Sequence, residues 1–312
     1  MRILVTGGLG FIGYNVVSSL ERLGQEIIVT DNRTLYPPTT QIELDTLIKL
    51  RENTLLGTAI VYNVSINNAK AIFEIHSPDI VVNLASPPRQ QAVSADPATS
   101  SQTMSEGLIT LLELCSTHKI KKFVHISSSM VYGNFVNDVV ETAVCNPIGQ
   151  YGILKLASEM LVRDYSRRCG FAHTIIRPSA VYGPLDVTDR VVAKFFYTAM
   201  QGGVMKVNGS NETLDFTYID DLVSGIVAAT RSPNANNKTY NLTRGRSRTL
   251  LTAAKLVQTL VGKGVIETNE KDPNFPSRGS LNIDAARKDF GFNPQIDIEQ
   301  GFKQYYDWIK PE

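Results

Sequence analysis

Tyr151 and Lys155 stand four residues apart in Tyr151-Gly152-Ile153-Leu154-Lys155, and on a helix that spacing puts a phenol and an ammonium on one face. A tyrosine with a pKa of about 10 is a poor base near neutrality, but a cation beside it favours the phenolate. The pair is then a candidate for taking a proton from an alcohol. The motif occurs in many ordinary helices, so its meaning depends on what accompanies it. Two features do. A serine-rich strand end, Phe123 to Gly133 with Ser127-Ser128-Ser129, precedes it, and the glycine-rich stretch Thr6-Gly7-Gly8-Leu9-Gly10-Phe11-Ile12-Gly13 follows the first strand.

Gly7, Gly10 and Gly13 lead from that strand into a helical pattern running through Leu23. Glycines there permit a tight turn and let backbone N–H groups and a helix N-terminus approach a pyrophosphate. The second strand ends on Asp31, about 20 residues past the loop, where a carboxylate accepts hydrogen bonds from an adenosine ribose. That carboxylate repels a 2′-phosphate, which favours NAD over NADP; Arg33, two residues on, softens the choice. NAD is the expected cofactor, and its positively charged nicotinamide adds to the pull on the Tyr151 phenol.

These groups need a scaffold that delivers strand ends to one edge. Short β-branched runs at Ile3 to Val5, Ile27 to Thr30, Ala59 to Tyr62, Ile80 to Leu84, Phe123 to Ile126 and Thr174 to Ile176 alternate with longer helical patterns. That rhythm predicts an α/β fold, a doubly wound parallel sheet of the Rossmann type. After Pro178 the segments shorten and become glycine-rich and polar, predicting a smaller α/β substrate-binding lobe. The expected division is 1–178 for the NAD-binding domain, rejoined by part of 215–244, and 179–312 mainly for the lobe. Helices are expected at Leu250 to Leu260 and Ile298 to Ile309, where apolar residues recur at three- and four-residue spacing.

Composition narrows the function classes. The 312 residues are 43% hydrophobic and 20% charged with a net charge of +1, ordinary values for a globular protein. No long-range field favours nucleic acid or an anionic membrane, so an anionic ligand must be held by local groups. Cys115, Cys145 and Cys169 are too few and scattered for a disulfide framework, and the four histidines make no metal-ligand spacing; no metal is expected. Without an apolar leader or a run of about 20 apolar residues, the expectation is a cytoplasmic protein with a small-molecule substrate.

At the serine-rich strand end the chain resembles the extended short-chain dehydrogenase/reductase family, particularly its NAD-dependent sugar-nucleotide epimerases and dehydratases. The resemblance covers nearly the whole chain. It runs through Thr6 to Gly13, Asp31, Asn83-Leu84-Ala85-Ser86, Ser127 to Gly133, Tyr151 to Lys155, Arg177 to Pro184, Asp215 to Asp221 and the closing Tyr305 to Ile309 helix. It implies that Ser128, Tyr151 and Lys155 are catalytic, with Ser128 assisting proton transfer. It also implies a cofactor groove of Gly7, Gly10, Phe11, Ile12, Gly13, Asp31, Asn32, Asn63, Val64, Leu84, Ala85, Ser86, Ile126, Tyr151, Lys155 and Pro178. Ser128, Ser129, Ala180 and Arg278 fall at substrate positions; Ser127 and Ser129 also read as strand-end caps. A homodimer is implied, joined through the helix carrying Tyr151 and the one leading into Cys115, and an exposed apolar stripe is expected there.

Departures from the family pattern sort the reactions. A 4,6-dehydratase has an Asp-Glu pair directly after the active-site hydroxyl, and this chain has Ser129 and Met130, which cannot carry that proton. Epimerisation, most plausibly at C4, needs no further titratable group, and simple dehydrogenation or ketone reduction needs only product release; a nucleotide-binding protein without turnover is a third reading. Ala180 stands where relatives carry a diphosphate-contacting Asn, and Leu214 where they carry an Arg, so two expected contacts are missing. Arg278 retains the remaining diphosphate arginine, while Arg244, Arg246 and Arg248 read either as an anionic patch or a solvated loop. Asp220 and Asp221 are expected to cap a helix beginning near Leu222. Cys115, Tyr305, Tyr306 and Trp308 are expected to be packing residues.

Overall fold

The computed structural model describes residues 1–273 and 275–310. Strands β1 (Arg2–Thr6), β2 (Glu26–Asp31), β3 (Ile60–Asn63), β4 (Ile80–Asn83), β5 (Lys122–Ile126) and β6 (Ala172–Pro178) alternate with helices α1 (Phe11–Arg22), α2 (Gln41–Thr54), α3 (Lys70–His76), α4 (Gln90–Ala95), α5 (Pro97–Ser101), α6 (Leu108–Thr117) and α7 (Gln150–Cys169). Then follow β7 (Val181–Tyr182), α8 (Val191–Met200), β8 (Val204–Asn208), β9 (Thr213–Leu214), β10 (Thr217–Tyr218), α9 (Ile219–Arg231), β11 (Lys238–Leu242), β12 (Arg248–Thr249), α10 (Leu250–Val261), β13 (Val265–Asn269), α11 (Asp284–Phe290) and α12 (Ile298–Ile309).

Seven strands form one parallel sheet in the order β11-β6-β5-β4-β1-β2-β3. The strand order reverses between β1 and β4, and in sheets of this kind the crevice at such a switch point, beyond the carboxyl ends of the strands, is where ligands bind. Alternation along the strands explains the two helical layers. Ile3, Val5, Ile27, Val29, Val124 and Ile176 pack with Val16, Val17 and Leu20 of α1 and Leu222 and Ile226 of α9. Leu4, Ile28, Val81, Phe123 and Ile175 turn the other way, onto Phe73, Leu111, Leu112, Cys115 and Val162.

Beyond β6 the pairing is short-range: β7 with β10, β9 with β12, and β8 with β13. Aromatic packing makes up for the small sheets. Phe302 of α12 meets Tyr182 at 5.2 Å between ring centroids, and Tyr305 meets Phe196 at 5.4 Å, contacts worth about 0.5–1.5 kcal/mol each beyond the area they bury. Trp308 stacks on Tyr305 but remains 44% exposed, so it is less a core residue than its neighbours. Asp220 and Asp221 do not act as side-chain caps: α9 begins at Ile219, and the Asp221 carboxylate instead accepts from the backbone of Gln295 and Ile296, anchoring the segment before α12.

Candidate active site

The loop between β1 and α1 is built for a close-approaching ligand. Gly7 has φ +66°, and a Cβ on Gly13 would stand 2.1 Å from the Gly7 carbonyl, so side chains are excluded there. Gly10 sits at the N-cap of α1 and no side chain caps the first turn, which leaves the dipole and N–H groups of that turn for an anion. The Asp31 carboxylate accepts from the backbone of Leu9 (3.0 Å) and Arg33 (2.8 Å). It borders a cavity of ≈ 170 Å³ that also touches Asn32, Val64, Leu84, Ala85 and Ser86. The glycine cradle and the oriented carboxylate fit the adenosine and diphosphate of NAD. Asn63, expected beside the adenine, is exposed on β3 and borders neither cavity.

A larger cleft of ≈ 750 Å³ adjoins it and shares Gly7, Gly10, Phe11, Leu84 and Ser86. Its walls bring together Ile12, Gly13, Ile126, Ser128, Ser129, Tyr151, Lys155, Pro178, Ala180 and Arg278, side chains from both halves of the chain. Tyr151 lies in the first turn of α7. The helix starts at Gly149 with φ +80°, and Gln90 of α4 accepts from the Tyr151 backbone N–H at 3.1 Å, fixing the turn that carries the phenol. Ser128 follows β5 and caps a short helical turn through Met130 (3.2 Å), and its hydroxyl acts on the Tyr151 phenol to lower its proton affinity. Lys155 Nζ donates to Ser86 Oγ (3.0 Å) and the Ile126 carbonyl (2.8 Å).

Burial pushes the Tyr151 phenol up, and the Arg190 charge and the Ser128 hydroxyl pull it down. Lys155 is pushed down to about 8 by the same burial, and Glu159 opposes that fall. Its nitrogen lies 5.8 Å from the Tyr151 ring centroid, and both of its hydrogen bonds go elsewhere. Glu159, one turn further on, is buried yet ionised: burial works against the charge, but Arg177 donates to both its oxygens (2.9 and 2.7 Å) and Ser127 adds a bond at 2.6 Å. Ser127 is therefore engaged with Glu159, although it too borders the cleft, and Ser129 is buried against it.

On the substrate side Ala180 has φ +38°, a backbone region that Asn enters far more readily, and Leu214 is a buried part of the wall. Arg278 is half-buried, with a buried Nε lacking a partner, and burial pulls its pKa down to about 10. Arg244 and Arg248 are committed elsewhere, to Asp297 (2.8 Å) and Glu299 (3.5 Å) at the start of α12, and neither borders the cleft. Sequence reasoning missed Arg89, Gln90, Gln91, Arg190, Lys194 and Lys206, which all border it. Arg190, just ahead of the apolar Val191 and Val192, was the one with a readable signal, a charge at the start of a helix. Among the described residues bordering the cleft, the single carboxylate is Asp189, 2.7 Å from Arg89, and no group of three or more His, Cys, Asp or Glu gathers to hold a metal.

The profile of the NAD dependent epimerase/dehydratase family matches residues 3–243. Among curated proteins, a UDP-glucuronate 4-epimerase of Thermodesulfobacterium geofontis is 28% identical, covering 98% of this chain and 95% of its own. A Bacillus subtilis protein described as an uncharacterized UDP-glucose epimerase is 27% identical, with 96% and 95% covered. Among solved structures, the UDP-glucuronic acid 4-epimerase of Bacillus cereus in complex with UDP-glucuronic acid and NAD superposes with a TM-score of 0.91 at 26% identity, covering 99% of both chains. The UDP-glucose 4-epimerase of Thermotoga maritima with UDP-glucose gives 0.87 at 28% identity, with 99% and 98% covered.

Proposed function

The chain belongs to the NAD-dependent epimerase/dehydratase family, and from that premise we propose that it is an NAD-dependent epimerase of nucleotide sugars, inverting C4 of a UDP-sugar by transient oxidation. The observation that carries this reading is the cleft itself, in which Ser128, Tyr151 and Lys155 converge and, among the described residues, the single carboxylate is paired with an arginine. A proton acceptor for an alcohol is present, and a free acid–base pair for eliminating water is not.

Tyr151, as its phenolate, takes the proton of the C4 hydroxyl, with Ser128 bridging phenol and sugar, and gives it back after the sugar ketone has turned its other face. NAD, when bound, supplies the oxidant for the alcohol and, in its reduced form, the reductant that restores it. Lys155 holds the ribose next to the reacting ring, its ammonium already oriented by Ser86 and Ile126. The first turn of α1 receives the diphosphate and Asp31 the adenosine ribose; Arg278 receives the diphosphate of the nucleotide sugar.

Incubation with UDP-glucose and with UDP-glucuronate tests the reading: one of them should be converted to its C4 epimer with no net NADH. Stoichiometric NADH would favour a dehydrogenase of the same fold, a reading to which Ala180 and Leu214 lend support. A homodimer is the proposed assembly, supported by Ile109 of α6 and Ile153 and Met160 of α7, large apolar side chains left exposed on those two helices. The three cysteines are free and, among the described residues, no helix is long and apolar enough to cross a membrane, in keeping with a cytoplasmic enzyme.

A further inference from the structure

Where the two cavities meet, a pair of arginines borders both: Arg89, ahead of α4, and Arg190, ahead of α8. Arg89 is 8% exposed, and while its Nη1 lies 2.7 Å from Asp189 Oδ1, its Nε and Nη2 have no partner among the described residues. Arg190 is similar. Its Nε is 3.8 Å from Asp186 Oδ2 and unbonded, and one Nη reaches the Pro88 carbonyl at 3.4 Å. Buried N–H groups are nearly always satisfied, by protein, water or ligand, so two guanidinium groups with unspent donors at the neck of a cleft mark a place where something else accepts them.

The position of Arg190 narrows what that is. Its charge acts on Tyr151, on Arg89 and on Arg278 alike, so it stands amid the reacting phenol, the neck and the far wall. Like charges so arranged depress one another, and an anion among them relieves all three. The chain also lacks the Asn and Arg that its relatives carry at Ala180 and Leu214, so the cleft has room and need for another anion contact.

We propose that Arg190, backed by Arg89, is a binding station for an anionic oxygen of the nucleotide sugar, either a carboxylate on the sugar ring or the diphosphate. The proposal rests on the epimerase reading. Asp186 and Asp189 hold the two guanidinium groups in the neck until the ligand's oxygens take their free N–H groups, as bidentate arginine contacts do.

The test is calorimetric titration of the purified holoenzyme and its Arg190→Gln and Arg190→Lys variants with UDP, UDP-glucose and UDP-glucuronate, with NAD content and melting temperature recorded for each. Arg190→Gln should weaken at least one ligand by about tenfold or more at unchanged NAD content, and Arg190→Lys should recover part of the loss. A loss confined to UDP-glucuronate identifies the carboxylate as the ligand group, and an equal loss for all three identifies the diphosphate. Unchanged affinities in a variant that melts like the parent overturn the proposal, as does release of NAD with nucleotide affinities intact, which would assign the pair to the cofactor. A parent enzyme that binds none of the three ligands and epimerises neither sugar sinks the functional reading itself, a result visible before any variant is made.

Discussion

The two walls of the cleft are made in different ways. The cofactor wall comes from the ends of β1, β2, β4 and β5 and from the first turns of α1 and α7, so backbone geometry delivers Gly7, Asp31, Ser86, Ser128 and Tyr151 to one edge. The substrate wall comes from segments around Ala180, Arg190, Met205, Leu214 and Arg278, joined by strands of two to five residues. A repeated sheet fixes where its residues go whatever the neighbouring side chains are; an assembly of short pieces does so only through particular side-chain contacts. The first wall can therefore keep one chemistry while the second changes its choice of ligand.

If that contrast holds, the deepest losses come from the cofactor wall. Tyr151→Phe should lower kcat by about 10²–10⁴-fold, the range of a lost proton-transfer group, with NAD content unchanged; retained turnover would break the contrast at its centre. Gly13→Ala comes next, because its Cβ would meet the Gly7 carbonyl at 2.1 Å: the backbone must move, at about 1–3 kcal/mol of stability, and NAD content should fall. Thermal melting and absorbance of the released dinucleotide read both effects.

Lys155 gives a pH test. Its pKa in the fold is about 8 against an ordinary 10.5, so between those values the folded chain binds fewer protons than the unfolded one. Stability from this group therefore rises as pH climbs through that window, while the ammonium itself is lost. Activity of the free enzyme should fall above about pH 8, and the Lys155→Met variant, weaker throughout, should lack that basic limb.

The substrate wall should yield smaller numbers. Ala180→Asn removes strain at φ +38° and should stabilise the fold by about 1 kcal/mol, since such backbone costs about 1–3 kcal/mol for a residue unsuited to it; a changed affinity for UDP would sharpen the contrast by making position 180 a selectivity element. Arg244→Ala, which removes a pair with Asp297 outside the cleft, should cost about 1 kcal/mol or less and leave nucleotide binding alone.

The same contrast governs what could be read from sequence. The glycine loop, Asp31, Ser128 and the tyrosine–lysine pair were legible because each sits at a fixed offset from a strand or a helix start. Asn63 lies exposed at the end of β3, outside both cavities, a placement that strand pairing and not local sequence decides. Asp221 was assigned to its own helix because capping is local, whereas its carboxylate serves a segment more than seventy residues away. Arg89 was missed for a related reason: a charge looks solvated in sequence until folding buries it. The burial that raises the proton affinity of the Tyr151 phenol is something spacing does not report.

One consequence concerns how the molecule is made. The outermost sheet strand on the β6 side, β11, is encoded after β7 to β10, α8 and α9. A nascent chain emerging from the ribosome therefore holds β6 as a bare margin of N–H and C=O groups until Lys238–Leu242 arrives to pair with it. Truncation before that stretch should leave a fragment that self-associates, whereas translation pauses beyond it should be harmless.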